Sequence, residues 1–347
     1  MLVVVLGSAG LLFAQKINQK EVKQLQSFLQ QTSAKGDANY VRLEITNINN
    51  PATWKGVTWS GGRAISIEWS DKNLAGELDL AGFTALQKVD CSRNQLTGIE
   101  VSGCTALNTL NVSRNKLSSL NIDNCPALIK LDCYKNRLTD LSLAELPGLK
   151  NLNCSNNLFV ELNVNGAQQL QSLNVQGCHL ESLMVDSCEN LKNLYCGYNK
   201  LTSLNLFGTV SLSNLNIDDN EIANMVISKL PSLTSFVCSD NNMKTLGLLD
   251  CTALSDLVCS YNDLTTLSLD GSNNLYFVDC SYNDLTNLDL SNRTMLQRLI
   301  CNNNQLNTLD VSFCPNLVYI NCRYNQIIDL RTMGDSNLRM IACQWNY

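Results

Sequence analysis

One spacing limits what this chain can fold into. From Leu86 to Tyr347 the sequence repeats every 21 residues without insertion or deletion, giving twelve complete copies and a thirteenth of ten residues. The leading position is leucine in all thirteen, from Leu86 through Leu317 to Leu338; the sixth is cysteine in ten copies and the ninth asparagine in twelve. The fourth position is always apolar, and the eleventh and fourteenth are apolar in every complete copy. A unit this short cannot bury an apolar face alone, so neighbouring units must stack and share a core.

The stretch LYFVDCSYNDLTNLDLSNRTM, residues 275–295, illustrates one unit. Apolar fourth and sixth positions with a polar residue between them have the period of a strand with one buried face. The remainder of the unit is too short for a long return helix and alternates again at Leu288 and Leu290, which predicts an extended or single-turn back. Pro126, Pro147, Pro231 and Pro315 fall at the twentieth position, where a missing N–H removes no ladder bond. The asparagine stands where the chain leaves the strand and turns into the stack. Its amide offers donors and an acceptor to backbone groups held away from water. Cys178 replaces it in one copy, predicting a soft spot there.

The pattern L-x-x-L-x-C-x-x-N-x-L-x-x-L-x-L resembles the leucine-rich repeat, specifically the bacterial 21-residue, cysteine-ladder variety of internalin-like surface proteins. The resemblance covers residues 86–347. It implies a leucine-rich repeat solenoid, an α/β-class right-handed superhelix that is mostly β and coil. A parallel sheet would line the concave face, with a protein partner in the concavity.

The ladder cysteines are Cys91, Cys133, Cys154, Cys196, Cys238, Cys259, Cys280, Cys301, Cys322 and Cys343, and Val112, Val175 and Ile217 fill the same slot elsewhere. Aliphatic replacement says that the slot takes a small buried apolar group, which a free thiol supplies. Side chains on neighbouring strands run parallel at strand spacing, beyond the usual disulfide Cβ separation of about 3.8 Å. Mostly free thiols are therefore expected. Of the five cysteines at the nineteenth position, only Cys104 and Cys125 lie in adjacent coils, where one bridge is conceivable.

The chain divides at its ends. The apolar run Leu2–Ala14 is shorter than the roughly 20 residues a membrane span needs. It has the size of a signal-peptide core, so 1–14 is read as a signal peptide, although no Lys or Arg precedes it. No second such run occurs, so the mature chain is expected to be secreted or at the cell surface (periplasm or outer surface) and not inserted in the membrane. Residues 15–64 form a cap. Asn18 and Glu21 have capping-box spacing ahead of Val22, Leu25, Phe28 and Leu29, an amphipathic helix. That helix and the segment bearing Trp54, Trp59 and Trp69 are similar to the N-terminal cap of plant-type leucine-rich repeat proteins, without its paired cysteines. The repeat domain is 65–347: an irregular first coil 65–85, twelve repeats 86–337 and a partial repeat 338–347, whose edge Trp345 and Tyr347 are expected to cover.

A net charge of −6 argues against a nucleic-acid partner, which needs a broad basic footprint. The one histidine, His179, adjoins Cys178, but neighbouring residues do not ordinarily face each other. No phosphate loop, metal-spaced His/Cys set or hydrolase elbow appears, so the reading is non-enzymatic, with no cofactor and no metal. Ile217–Glu221, IDDNE, lacks the twelve-residue calcium-loop pattern and reads as solvated acids.

What remains is surface. The third, fifth and seventh positions project from the concave face, and the eighth and tenth flank it. The first three copies are basic there, with Lys88, Arg93, Arg114, Lys116, Lys130, Lys135 and Arg137 partly offset by Asp90 and Asp132. Farther along come Asp218, Asp219, Glu221, Asp240, Asp256, Asp263, Asp279 and Asp284. The candidate ligand-binding residues are Tyr198, Val258, Tyr261, Phe277, Asp279, Tyr282, Arg298, Ile300, Tyr319 and Tyr324. Tyrosine gives large contact area with few rotamers, which favours recognition; the resemblance implies that the ligand is a protein of a host or neighbouring cell, bound in adhesion. The alternatives are carbohydrate capture on the aromatic stripe, or a scaffold module of a longer protein.

Overall fold

A computed structural model describes residues 16–165, 167–332 and 337–346. The signal-peptide reading falls on residues outside these, and so does Tyr347. Coils are counted from Leu86, so that coil 7 begins at Leu212 and coil 10 at Leu275.

Each coil places its third to fifth residues in one short strand of a common sheet. Among the described residues this sheet has fifteen strands, from Val57–Ser60 through Arg63–Glu68 to Met340–Ala342. The first pair is antiparallel and the later pairings are parallel. The register advances by 21 residues per rung, so fourth-position side chains stack in one column: Leu194, Leu215, Phe236, Leu257, Val278 and Leu299. That column and the sixth-position column from Cys91 to Cys322 are buried, as are the eleventh-position residues from Leu96 to Ile327. The back is extended, as its alternation predicts. Its strands pair only in patches, such as Asn224–Ser228 with Thr245–Leu249 and Thr266–Ser268.

The asparagine ladder satisfies the backbone where each coil turns inward. The Asn283 amide donates to the carbonyls of Cys280 (3.1 Å) and of Cys259 in the preceding coil (3.0 Å), and accepts the Leu264 N–H (3.0 Å). Asn94, Asn136 and Asn325 repeat the pattern on both sides. At Cys178 it is broken: the thiol reaches the Cys154 carbonyl at 3.3 Å, but the Phe159 N–H has no acceptor among the described residues.

All sixteen cysteines are unbonded, Cys104 and Cys125 included, and fifteen are buried. Cys343, expected in the core ladder, is instead exposed, because its coil has no described neighbour on the far side. Burial pushes the Cys280 thiol up to about 12. A hydrogen bond with Cys133 and burial raise Cys154 well above the usual thiol range. Thiols this far above neutral react slowly. We expect a thiol reagent at pH 8 to titrate one group in the native protein, Cys343, and all sixteen in unreduced denatured protein. Fewer than about twelve in the denatured sample would overturn the packing account of the ladder.

Helix α1 (Gln19–Leu29) covers the first coil with Val22, Leu25, Phe28 and Leu29, all buried. Asn18 caps it, accepting the N–H groups of Lys20 and Glu21. The reciprocal half of the capping box is absent. The Asn18 N–H is already held by the Gly62 carbonyl, and the buried Glu21 carboxylate turns to Arg63 (2.6 Å) and the Ala64 N–H (2.9 Å). Trp69 is fully buried and stacks on Phe28 with centroids 5.7 Å apart.

Candidate functional site

Every described eighth-position residue from Arg93 to Trp345 is left-handed, with φ between +50° and +64°. The turn out of each strand requires it, and Asn156, Gly177 and Asn303 are residue types that tolerate it. Bulky side chains carry a conformational cost there, yet Tyr198, Tyr261, Tyr282, Tyr324 and Trp345 all occupy the slot and are exposed. Tyr261 and Tyr282 stack with centroids 4.3 Å apart and planes within 9°. Tyr324 and Trp345 stack at 5.9 Å and 7°, with Asn303 on the rung between the two pairs. Trp345 therefore lies on Tyr324 with 70% of its surface exposed and does not close over the edge as expected.

A second row runs along the third position. Phe277, Arg298 and Tyr319 are successive rungs, and the Arg298 guanidinium sits between the rings, 5.2 Å from one and 5.5 Å from the other. Such contacts restrict a long side chain that would otherwise be mobile. Beside this row, Val237, Val258, Asp279 and Ile300 form successive fifth-position rungs. Asp279 is less free than its sequence position suggests. Its Oδ1 accepts both the N–H (3.0 Å) and the hydroxyl (2.6 Å) of Ser281, the same clasp that Asp90 makes with Ser92.

Nine of the ten candidate residues thus lie on coils 9 to 12; Tyr198, on coil 6, stands apart. It is separated from Tyr261 by Asp219 and Asp240 in its own column. The neighbouring Asp218 charge raises its phenol, and burial raises Asp218 itself. The described hollows lie elsewhere. One of about 270 Å³ is lined by Lys130, Asn151, Ser172 and Tyr195 on the concave face, and others of about 490 and 520 Å³ open on the back. In the last of these, Leu204 and Leu206 are only partly buried and Phe207 is 76% exposed, a break in the back wall at coil 6. Its sequence signal is faint: Leu204 and Leu206 are ordinary repeat leucines, and Phe207, Val210 and Val226 are the residues unusual for a solvent face.

His179 is exposed while Cys178 is buried, so the two side chains leave the backbone in different directions. Among the described residues no group of three or more His, Cys, Asp or Glu is placed to hold a metal ion, and no helix is long and apolar enough to cross a membrane.

Solved structures place this architecture. A leucine-rich repeat protein of Leptospira interrogans superposes with a TM-score of 0.60 at 22% identity, over 78% of this chain and 84% of that one. The internalin InlF of Listeria monocytogenes gives 0.52 at 17% identity, over 92% and 94%. The fold is that of a leucine-rich repeat solenoid. The functional domain of InlJ from Listeria monocytogenes, which includes a cysteine ladder, is 26% identical over 76% of this chain and 70% of that one, with a TM-score of 0.48. No family model and no curated protein sequence matches this solenoid.

Proposed function

We propose that this solenoid is an exported, non-enzymatic binding protein that recognises a protein ligand through coils 9 to 12 of its concave sheet, in cell-surface adhesion or recognition. The observation that carries the reading is the left-handed aromatic column. Asparagine and glycine fit that backbone without strain and occur in the same column, so tyrosine and tryptophan there are not explained by the turn. Tyr282 and Tyr324 instead offer large, rigid, amphipathic area, and on the sheet of the same coils Arg298 lies between Phe277 and Tyr319, the composition of interface hot spots.

Stacking also bears on the choice of ligand. Sugar recognition by aromatic platforms needs open ring faces, whereas Tyr261 and Tyr282 turn faces toward each other and offer mainly edges to solvent. A broad, shallow, mixed surface suits a protein better.

The test exploits the backbone. In Tyr282→Asn/Tyr324→Asn, the new residue suits φ near +54° better than the old one, so stability should hold or rise. We expect capture of a partner from surface extracts to be lost at unchanged or higher Tm. Capture retained by the double variant, or lost together with several degrees of Tm, would count the tyrosines as mere sheet packing.

A further inference from the structure

Eight carboxylates, Asp218, Asp219, Glu221, Asp240, Asp256, Asp263, Asp279 and Asp284, all belong to coils 7 to 10. With rungs about 4.8 Å apart, these coils span about 14 Å. Within that length the face carries more negative charge than the net −6 of the whole chain. None of the eight is ion-paired among the described residues: the ion pairs lie in the cap, at coil 1 and on the back strands of coils 11 and 12. Like charges this close repel, and the fold leaves the repulsion uncompensated.

The patch has sharp borders. Lys200 on coil 6 precedes it; Arg298 on coil 11 and Arg323 on coil 12 lie beyond it. Val237 and Val258 run through its middle on the sheet, and Tyr261 and Tyr282 rise along its turn side. The carboxylates are distributed over four successive rungs, three of them on coil 7, and among the described residues no group of three is placed to hold a metal ion, so a single bound cation does not match their arrangement. A chain of cations does.

We infer that the partner contacts coils 7 to 10 through an extended lysine- or arginine-rich polypeptide segment of about five residues. An extended segment advances about 3.3 Å per residue, so five residues match the acidic length. Beyond it, either end meets Lys200 or Arg298 and gains nothing. The apolar Val237 and Val258 accept the methylene stems of such residues while the charged heads reach the carboxylates, the usual way long cationic side chains divide between surfaces. This rests on the proposed concave ligand face but extends it to neighbouring coils and names the ligand's chemistry.

The test uses the full chain and synthetic peptides: pentalysine, nonalysine and pentaglutamate. Binding is followed by fluorescence anisotropy at about 50 and about 300 mM NaCl, which brackets physiological screening. The variant is Asp219→Asn/Asp240→Asn/Asp263→Asn/Asp284→Asn. Asp219 and Asp240 occupy left-handed positions that asparagine tolerates, and among the described residues the four side chains make one hydrogen bond, from Gln305 to Asp284. The variant should fold at least as well as the parent, which a thermal melt checks. Pentalysine is expected to bind the parent, to weaken at least about tenfold in the variant and at the higher salt, and to gain less than about threefold on lengthening to nine residues. Pentaglutamate should not compete. Absence of pentalysine binding, binding unaffected by the four substitutions, or affinity that keeps climbing with length as for a diffuse polyelectrolyte would each overturn the inference. The Tyr282→Asn/Tyr324→Asn variant separates the two readings. If it binds pentalysine normally but still captures its surface partner, the aromatic face has failed while the acidic patch stands.

Discussion

Asn283→Ala is expected to lower the free energy of unfolding by about 2–4 kcal/mol, more than any surface substitution in the sheet. The size comes from which backbone groups lose their only partner. The carbonyls of Cys259 and Cys280 each accept from two ladder amides, their own coil's and the next one's, so each keeps one bond after the change. The Leu264 N–H has only the Asn283 Oδ1, and it is buried. The Ser281 carbonyl also loses the Asn283 amide but keeps the Tyr261 N–H, so one orphaned donor, three weakened acceptors and the void of the missing amide together set the range. Urea titration measures the total, and amide exchange at Leu264 locates it. A shift under about 0.5 kcal/mol, or protection kept at Leu264, would mean that water enters the turn and replaces the side chain. The reciprocal change tests the same logic with opposite sign. Cys178→Asn supplies an acceptor for the Phe159 N–H and should stabilise the protein by about 1 kcal/mol.

The ladder's role was legible because the physical argument requires a side chain with both donors and an acceptor, and only asparagine in that column has them. The stacked core was legible for a related reason: a fixed period of 21 leaves one way to bury Leu194, Leu215 and Leu257 together. The left-handed turn was not. Tyrosine, arginine and lysine dominate the eighth column, and none advertises a positive φ. Asn156, Gly177 and Asn303 were the available signal, diluted among ten other residues. The partnering of Glu21 was hidden too, since a capping-box spacing says nothing about whether a distant carbonyl, here that of Gly62, has already taken the N–H that the box needs. Among candidate site residues, column membership was readable, but who touches whom was not: the Arg298 sandwich depends on Phe277 and Tyr319 falling on adjacent rungs and on rotamers that a sequence does not specify.

Coil stacking also makes the N-terminal seal a matter of stability for everything near it. Trp69→Ala is expected to cost about 3–5 kcal/mol, the range for deleting a large buried aromatic side chain. Its ring is fully buried, lies on Phe28 with planes 14° apart, and donates from Nε1 to the Lys55 carbonyl at 2.9 Å. Gly56 packs so closely on the indole that an added Cβ there would come within 2.6 Å of Cδ1, so the surroundings are shaped to this ring. Trp69→Phe keeps most of the stack but removes the N–H, leaving the Lys55 carbonyl short of a donor, and should cost about 1–2 kcal/mol. Because each coil is held chiefly by its neighbours, the loss should be graded along the solenoid. Amide protection should collapse first in Lys88–Asp90, the strand that pairs with the Trp69 coil, and survive in Tyr319–Asn321 until the global transition. Uniform loss of protection would mean that the solenoid unfolds as one cooperative unit, and the cap would then bear equally on the distant ligand face.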